Sequence, residues 1–124
     1  MAYKQILLMN IEEFRDYCMT MKGVTEKFPF DESTLVFYIG GKMFCLTDVD
    51  TFDFINVKCD PEKAIELREQ YPGVLPGYHM NKKHWNSLLM NGSLPANLVR
   101  EWIKDSYELV VAGLSKKVRQ ELNT

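Results

Sequence analysis

The chain is poor in the residues that usually announce a chemistry. Its 124 residues include three cysteines and two histidines. The cysteines, Cys18, Cys45 and Cys59, are odd in number and show no CxxC spacing, which argues against a disulfide framework or a zinc ribbon. Reduced, mostly buried thiols in a cytoplasmic protein fit this usage. Long apolar runs are also missing. Ile6-Leu7-Leu8-Met9 is far too short to span a bilayer, and the N-terminal stretch lacks a secretory cleavage pattern. There is no GxSxG elbow, no phosphate-cradling glycine loop and no HExxH. A Cys–His pair can serve as nucleophile and base, but Cys45 and Cys59 fall in expected strands, where an inert thiol is the simpler reading. The expectation is therefore a protein with no enzymatic activity and no cofactor. Charge of one sign is not in excess either. The formal net charge is −2, whereas a dedicated phosphate binder is usually basic overall.

What is present suits one folded unit. Hydrophobic residues make up 46% and charged residues 26%, enough for a core that needs no metal or disulfide. No repeat, low-complexity tract or linker divides the chain. The expectation is a single monomeric domain over 1–124, with residues 1–9 as a loosely ordered lead-in.

Local signals give the element order. Asn10 followed by Glu13 reads as a capping box, with Met9 and Phe14 at staple spacing. Ile11, Phe14, Tyr17, Cys18 and Met21 form an apolar stripe, so a helix is expected over 10–21, stopped at Gly23. Residues 34–47 read as two strands around a Gly40-Gly41 turn, and 52–58 as a third strand. Asp60-Pro61 opens a helix running to about Gln70. A short extended stretch near 78–80 and a strand over 84–90 then suggest a second hairpin, with Asn81-Lys82-Lys83 near its tip. Residues 95–112 form an amphipathic helix interrupted only by Ser106, and Leu114–Leu122 add a short basic one. The order α-β-β-β-α-β-β-α, with a short final helix, predicts an α+β fold: about five antiparallel strands with helices packed on one face.

The decapeptide PGYHMNKKHW (76–85) concentrates the polar chemistry. It holds both histidines, and it lies in a window between Glu69 and Glu101 that contains no Asp or Glu. His79 and His84 alone do not make a metal site, which needs three or four converging ligands. A lysine-bearing tip fits phosphate contacts instead, with Tyr78 and Trp85 able to stack on bases or to plug the core. Exposed lysines at a turn are also simply well solvated, and Asn tolerates turn geometry. One alternative to DNA is a protein- or small-ligand-interaction module in which this hairpin is structural. In that reading Ser106-Tyr107-Glu108 either anchors Pro76–His79 to the last long helix or lines a pocket.

The segments PFDESTLVFYIGGKMFCL (29–46), VKCDPEKAIELREQYPGVLPGYHMNKKHW (57–85), NGSLPANLV (91–99) and DSYELVVAGLSKKVR (105–119) together resemble the MmcQ/YjbR-like proteins. The likeness runs over nearly the whole chain from the first helix onward. It implies a CyaY-like, frataxin-type architecture and, with it, a third alternative: weak iron binding by Glu12, Glu13 and Asp16 with Asp48, Asp50 and Asp53. It also implies DNA binding through a double wing, and no established enzyme activity. Applied to this sequence, Lys82 and Lys83 would contact phosphates, with Asn81 and His84 assisting. Lys42 would serve a second wing, and Lys116, Lys117 and Arg119 would add flanking charge.

Overall fold

The first element forms as its caps dictate. Asn10 Oδ1 accepts from the Glu13 amide at 2.8 Å, and the Asn10 amide donates back to Glu13 Oε1 at 3.0 Å. Helix α1 (Ile11–Met19) follows, and Met9 and Phe14 are both buried beside it. The computed structural model describes residues 9–123. Met9 is thus part of the core rather than of a loose lead-in, and residues 1–8 lie outside the described residues.

The remaining elements are β1 (Thr25–Lys27), β2 (Thr34–Ile39), β3 (Lys42–Asp48), β4 (Phe54–Lys58), α2 (Pro61–Gln70), β5 (Val74–Pro76), β6 (Trp85–Leu89), α3 (Ala96–Ala112) and α4 (Lys116–Leu122). The strands form one antiparallel sheet in the order β1-β2-β3-β4-β6-β5. The α+β class and the one-sided helices are as expected, but the sheet has six strands rather than five. The extra strand, β1, is the three-residue segment TEK, too short and too polar to show a period. The extended stretch expected at 78–80 is instead β5 at Val74–Pro76. Proline is tolerated there because β5 lies at the sheet edge, where its missing N–H is not needed by a neighbour.

Alternation along the strands sorts the side chains. Leu35, Phe37 and Ile39 of β2 join Phe14, Phe44, Ile55, Leu88 and the buried face of α3 in the main core. On the opposite face Val36, Leu46 and Trp85 form a smaller cluster, closed by Met80. The rings of Phe14 and Phe37 meet edge to face at 5.4 Å, a geometry their quadrupoles favour.

One irregularity in β3 explains the serine that interrupts α3. Phe37 pairs with Cys45 and Tyr38 with Met43, so Phe44 is an extra, unpaired residue. The Ser106 hydroxyl donates to the Phe44 carbonyl at 2.5 Å and accepts from the Lys58 amide at 2.8 Å. It satisfies backbone groups that the bulge would otherwise leave buried without partners. Ser106 therefore ties α3 to β3 and β4, not to Pro76–His79. Tyr107 packs edge to face on Phe44 and donates to the Lys22 carbonyl at 2.5 Å.

Candidate functional site

The PGYHMNKKHW segment is not a bare hairpin tip. Gly77 to His84 form an eight-residue connection between β5 and β6, folded back on itself by internal bonds. The Gly77 amide donates to the Trp85 carbonyl at 2.9 Å, and the Met80 amide to the Gly77 carbonyl at 3.2 Å. Glycine is required at 77, because a Cβ there would fall 2.7 Å from the Trp85 Cβ. Asn81 Oδ1 caps the following turn, accepting from the Lys83 amide at 2.9 Å and the His84 amide at 3.3 Å. The Lys82 ammonium donates to the Gly77 carbonyl at 3.0 Å. Arg68 reaches across from α2 to the Lys82 carbonyl and donates to Asn86 Oδ1 at 2.7 Å.

A second set of bonds pins Tyr78 to the sheet. Its amide donates to Ser87 Oγ at 2.9 Å, and its carbonyl accepts from Asn56 Nδ2 at 3.3 Å. The Ser87 hydroxyl in turn donates to Asn56 Oδ1 at 2.5 Å. The Tyr78 ring is thereby held out in solvent, edge to face on Phe54 at 5.5 Å. Trp85, by contrast, is buried against Val36 and Leu46 and is not available for stacking. Arg68, Asn56, Asn86 and Ser87 carry this arrangement and were not singled out in the sequence. For Asn56, Asn86 and Ser87 the signal is a polar residue inside an otherwise apolar strand, which must be hydrogen-bonded when buried; Arg68, on α2, carries no such signal.

The exposed cations gather in space rather than within the acid-free window, which contributes only Lys83 to the group. The antiparallel order puts the β2–β3 turn, the end of β4 and the 77–84 connection at one end of the sheet. The Cys59 amide donates to the His84 carbonyl at 2.7 Å across that end. Helix α4 is seated there too: a Cβ on Gly40 would fall 2.7 Å from Leu114 and 3.0 Å from Val118. Lys42, Lys83, Lys116, Lys117 and Arg119 are all exposed and share this end. Asp60, which caps α2 through the Lys63 amide, and Glu62 share it as well. At the other end of the sheet lie Asp31 and Glu32 in the β1–β2 connection, Asp48 at the end of β3, and Asp50 and Asp53 in the β3–β4 connection. Of the residues expected at the site, Lys82 and Asn81 are engaged in holding the loop, and His84 is half-buried.

Asp31 and Asp48 are occupied in turns. Asp31 accepts from the Ser33 and Thr34 amides at 2.9 and 2.7 Å, bonds that hold its carboxyl below the usual carboxylate range. Asp48 Oδ1 accepts from the Asp50 amide at 2.8 Å and the Thr51 amide at 3.1 Å. Glu13 belongs to the α1 cap. Among the described residues no three of His, Cys, Asp or Glu gather as a metal set. Burial pushes the Cys45 thiol well up, helped by a bond with Cys18. Burial also raises Cys59, which lines an apolar slot of about 250 Å³ with Val57, Leu67 and Trp102.

Comparison with known proteins then places the chain. The YjbR family model matches residues 19–109. The chain belongs to the YjbR family. It is 46% identical over 90 residues to YbdF of Escherichia coli O157:H7, covering 72% of this chain and 74% of that one. To YjbR of Escherichia coli strain K12 it is 30% identical over 115 residues, covering 92% and 98%. The crystal structure of Deinococcus radiodurans protein DR2400, which contains a DUF419 domain, superposes with a TM-score of 0.88 at 38% identity, covering 94% of this chain and 89% of that one. A Pseudomonas syringae protein crystal structure superposes at 0.71 with 30% identity, covering 82% and 98%. No helix among the described residues is long and apolar enough to cross a membrane.

Proposed function

We propose that this YjbR-family protein binds DNA with little sequence preference through the basic end of its sheet. The observation that supports the reading is the gathering of Lys42, Lys83, Lys116, Lys117 and Arg119 at one end, with the turn-bound acids at the other. The two turns that serve as wings lead into strands β3 and β6, which flank β4. The starts of these two strands, where Lys42 and Lys83 sit, are two strand spacings apart, roughly 10 Å, on the order of the ~12 Å width of a major groove. The contacts are therefore assigned to Lys83 and Lys42 with the α4 cations, while Lys82 and Asn81 shape the wing that presents Lys83. This takes in the view of PGYHMNKKHW as a structural hairpin: the loop is built first and presents charge second. A frataxin-like iron site has less support, because Glu13 and Asp48 already hold local backbone amides.

Phosphate neutralisation makes such binding strongly salt-dependent, with a log–log slope of about −0.9 per phosphate contact. Fluorescence anisotropy with a short duplex at low salt tests it. Lys42→Glu combined with Lys83→Glu should abolish the binding. Absence of binding to wild type, or binding unaffected by the double reversal, rules the proposal out.

A further inference from the structure

The face of the sheet away from the helices carries a groove of about 370 Å³, within the usual size range of small-molecule sites. Its floor includes Leu46, Asn56 and Met43, and its walls Phe54, Tyr78 and Met80. Two of its aromatic rings are far more exposed than aromatic side chains usually are: Phe30 at 66% and Tyr78 at 57%. Tyr78 is nonetheless fixed in place. Both of its backbone polar groups are tied to Ser87 and Asn56, and its ring lies on Phe54 and, at 4.0 Å, on His79. His79 itself is held at φ +58°, an unusual conformation for a residue other than glycine. An exposed ring held this firmly is preorganised to meet something.

The charge of the lining says what that is. Asp31 and Asp48 stand on the groove and no lysine or arginine lines it. Three donors, the Thr34 and Ser33 amides and the Thr34 hydroxyl, bond to the Asp31 carboxylate and favour its ionised form. Aromatic faces attract cations through their quadrupole. The thioethers of Met43 and Met80 add polarisable, adaptable contacts. Phosphates and carboxylates would meet the carboxylates of Asp31 and Asp48.

We propose that this groove binds a small organic cation, an amine carrying an apolar body, which would lie against Tyr78 and Phe54 with its charge toward Asp31 and Asp48. The site is separate from the basic end of the sheet, and the proposal does not depend on DNA binding.

Titration with benzyltrimethylammonium, followed by amide chemical shifts, tests it. Phenylacetate is the control: it has a similar ring and the opposite charge. The expected result is saturable shifts at Met43, Asn56, Tyr78 and Met80 with the cation and none with phenylacetate. Two variants probe the two attractions. Tyr78→Ala removes the ring but not the backbone clamp, and should weaken binding about tenfold. Asp31→Asn with Asp48→Asn keeps a side-chain oxygen to cap each turn but removes both charges, and should weaken binding at least as much. The proposal is overturned if the cation leaves those amides unmoved, if phenylacetate shifts them equally, or if the double Asn variant, folded by its spectrum, binds as tightly as wild type.

Discussion

The hydroxyl of Ser87 and the carboxamide of Asn56, on adjacent strands, bond at 2.5 Å beneath the 77–84 loop. Between them they take up both backbone groups of Tyr78. Ser87→Ala leaves the Tyr78 amide and the Asn56 carbonyl oxygen without this partner. The expected loss is about 1–3 kcal/mol, read as a lower urea midpoint together with faster amide exchange at Tyr78. Unchanged exchange there would show that the loop is held by its other bonds.

The adjacent lysines should separate in their effects. Lys82 donates to the Gly77 carbonyl and helps hold the loop, so Lys82→Ala should cost about 0.5–1.5 kcal/mol of stability. Lys83 is exposed, and Lys83→Ala should stay within about 0.5 kcal/mol. If the basic end binds DNA, Lys83→Ala should also flatten the salt slope by about 0.9. Urea unfolding and anisotropy on the same two variants decide the matter. Equal behaviour in both assays would refute this division of roles.

Ser106→Ala should be costly for a single oxygen. It leaves the Phe44 carbonyl and the Lys58 amide without the hydroxyl that now joins them, a loss of about 1–3 kcal/mol. Thermal unfolding measures it, and a variant as stable as wild type would mean that water replaces the hydroxyl at the bulge.

Asp31 makes an acid-side prediction. Its carboxyl titrates below the ordinary 3.8 because the Thr34 and Ser33 donors favour the ionised form. A depressed folded-state value contributes stability that is present above about 3.8. That contribution is lost as pH falls through the lower, folded value. The stability gap between wild type and Asp31→Asn should therefore be open at neutral pH and close under strongly acid conditions. Urea midpoints for both proteins across that range check the sign; a gap that widens on acidification contradicts it.

Thiol reactivity should follow burial. Cys18 and Cys45 are fully buried and Cys59 is partly open, with burial raising both Cys45 and Cys59. In the native state a thiol reagent should label Cys59 first, and slowly, since the thiolate is the nucleophile. Labelling of Cys45 before unfolding would overturn this order.

The elements that could be read in advance are those whose causes are local. The Asn10–Glu13 box, Asp60-Pro61 and the Gly40-Gly41 turn each act within four residues, and α1, α2 and the β2–β3 hairpin formed where they pointed. The site was harder. Lys42, Lys83 and the α4 cations were identifiable as exposed charge, but the acid-free window was a poor guide to the patch. Of its cations only Lys83 stands free at the basic end: Lys82 is folded onto Gly77, and Arg100 sits half-buried on α3.

The sequence by itself determined the class of the fold, the helix ends, the tight hairpin and the YjbR likeness, because caps, turns and periodicity are properties of neighbouring residues. Only the tertiary structure decided that Thr25–Lys27 is a strand, that β5 precedes Gly77, and that PGYHMNKKHW is a tethered cap rather than a free tip. It also brought distant cations to one end of the sheet and opened a groove on its bare face. The bonds responsible join residues far apart in the chain, 31 positions for Ser87 and Asn56 and 62 for Ser106 and Phe44. Such pairs are selected by strand register and helix packing, which no short window of sequence contains.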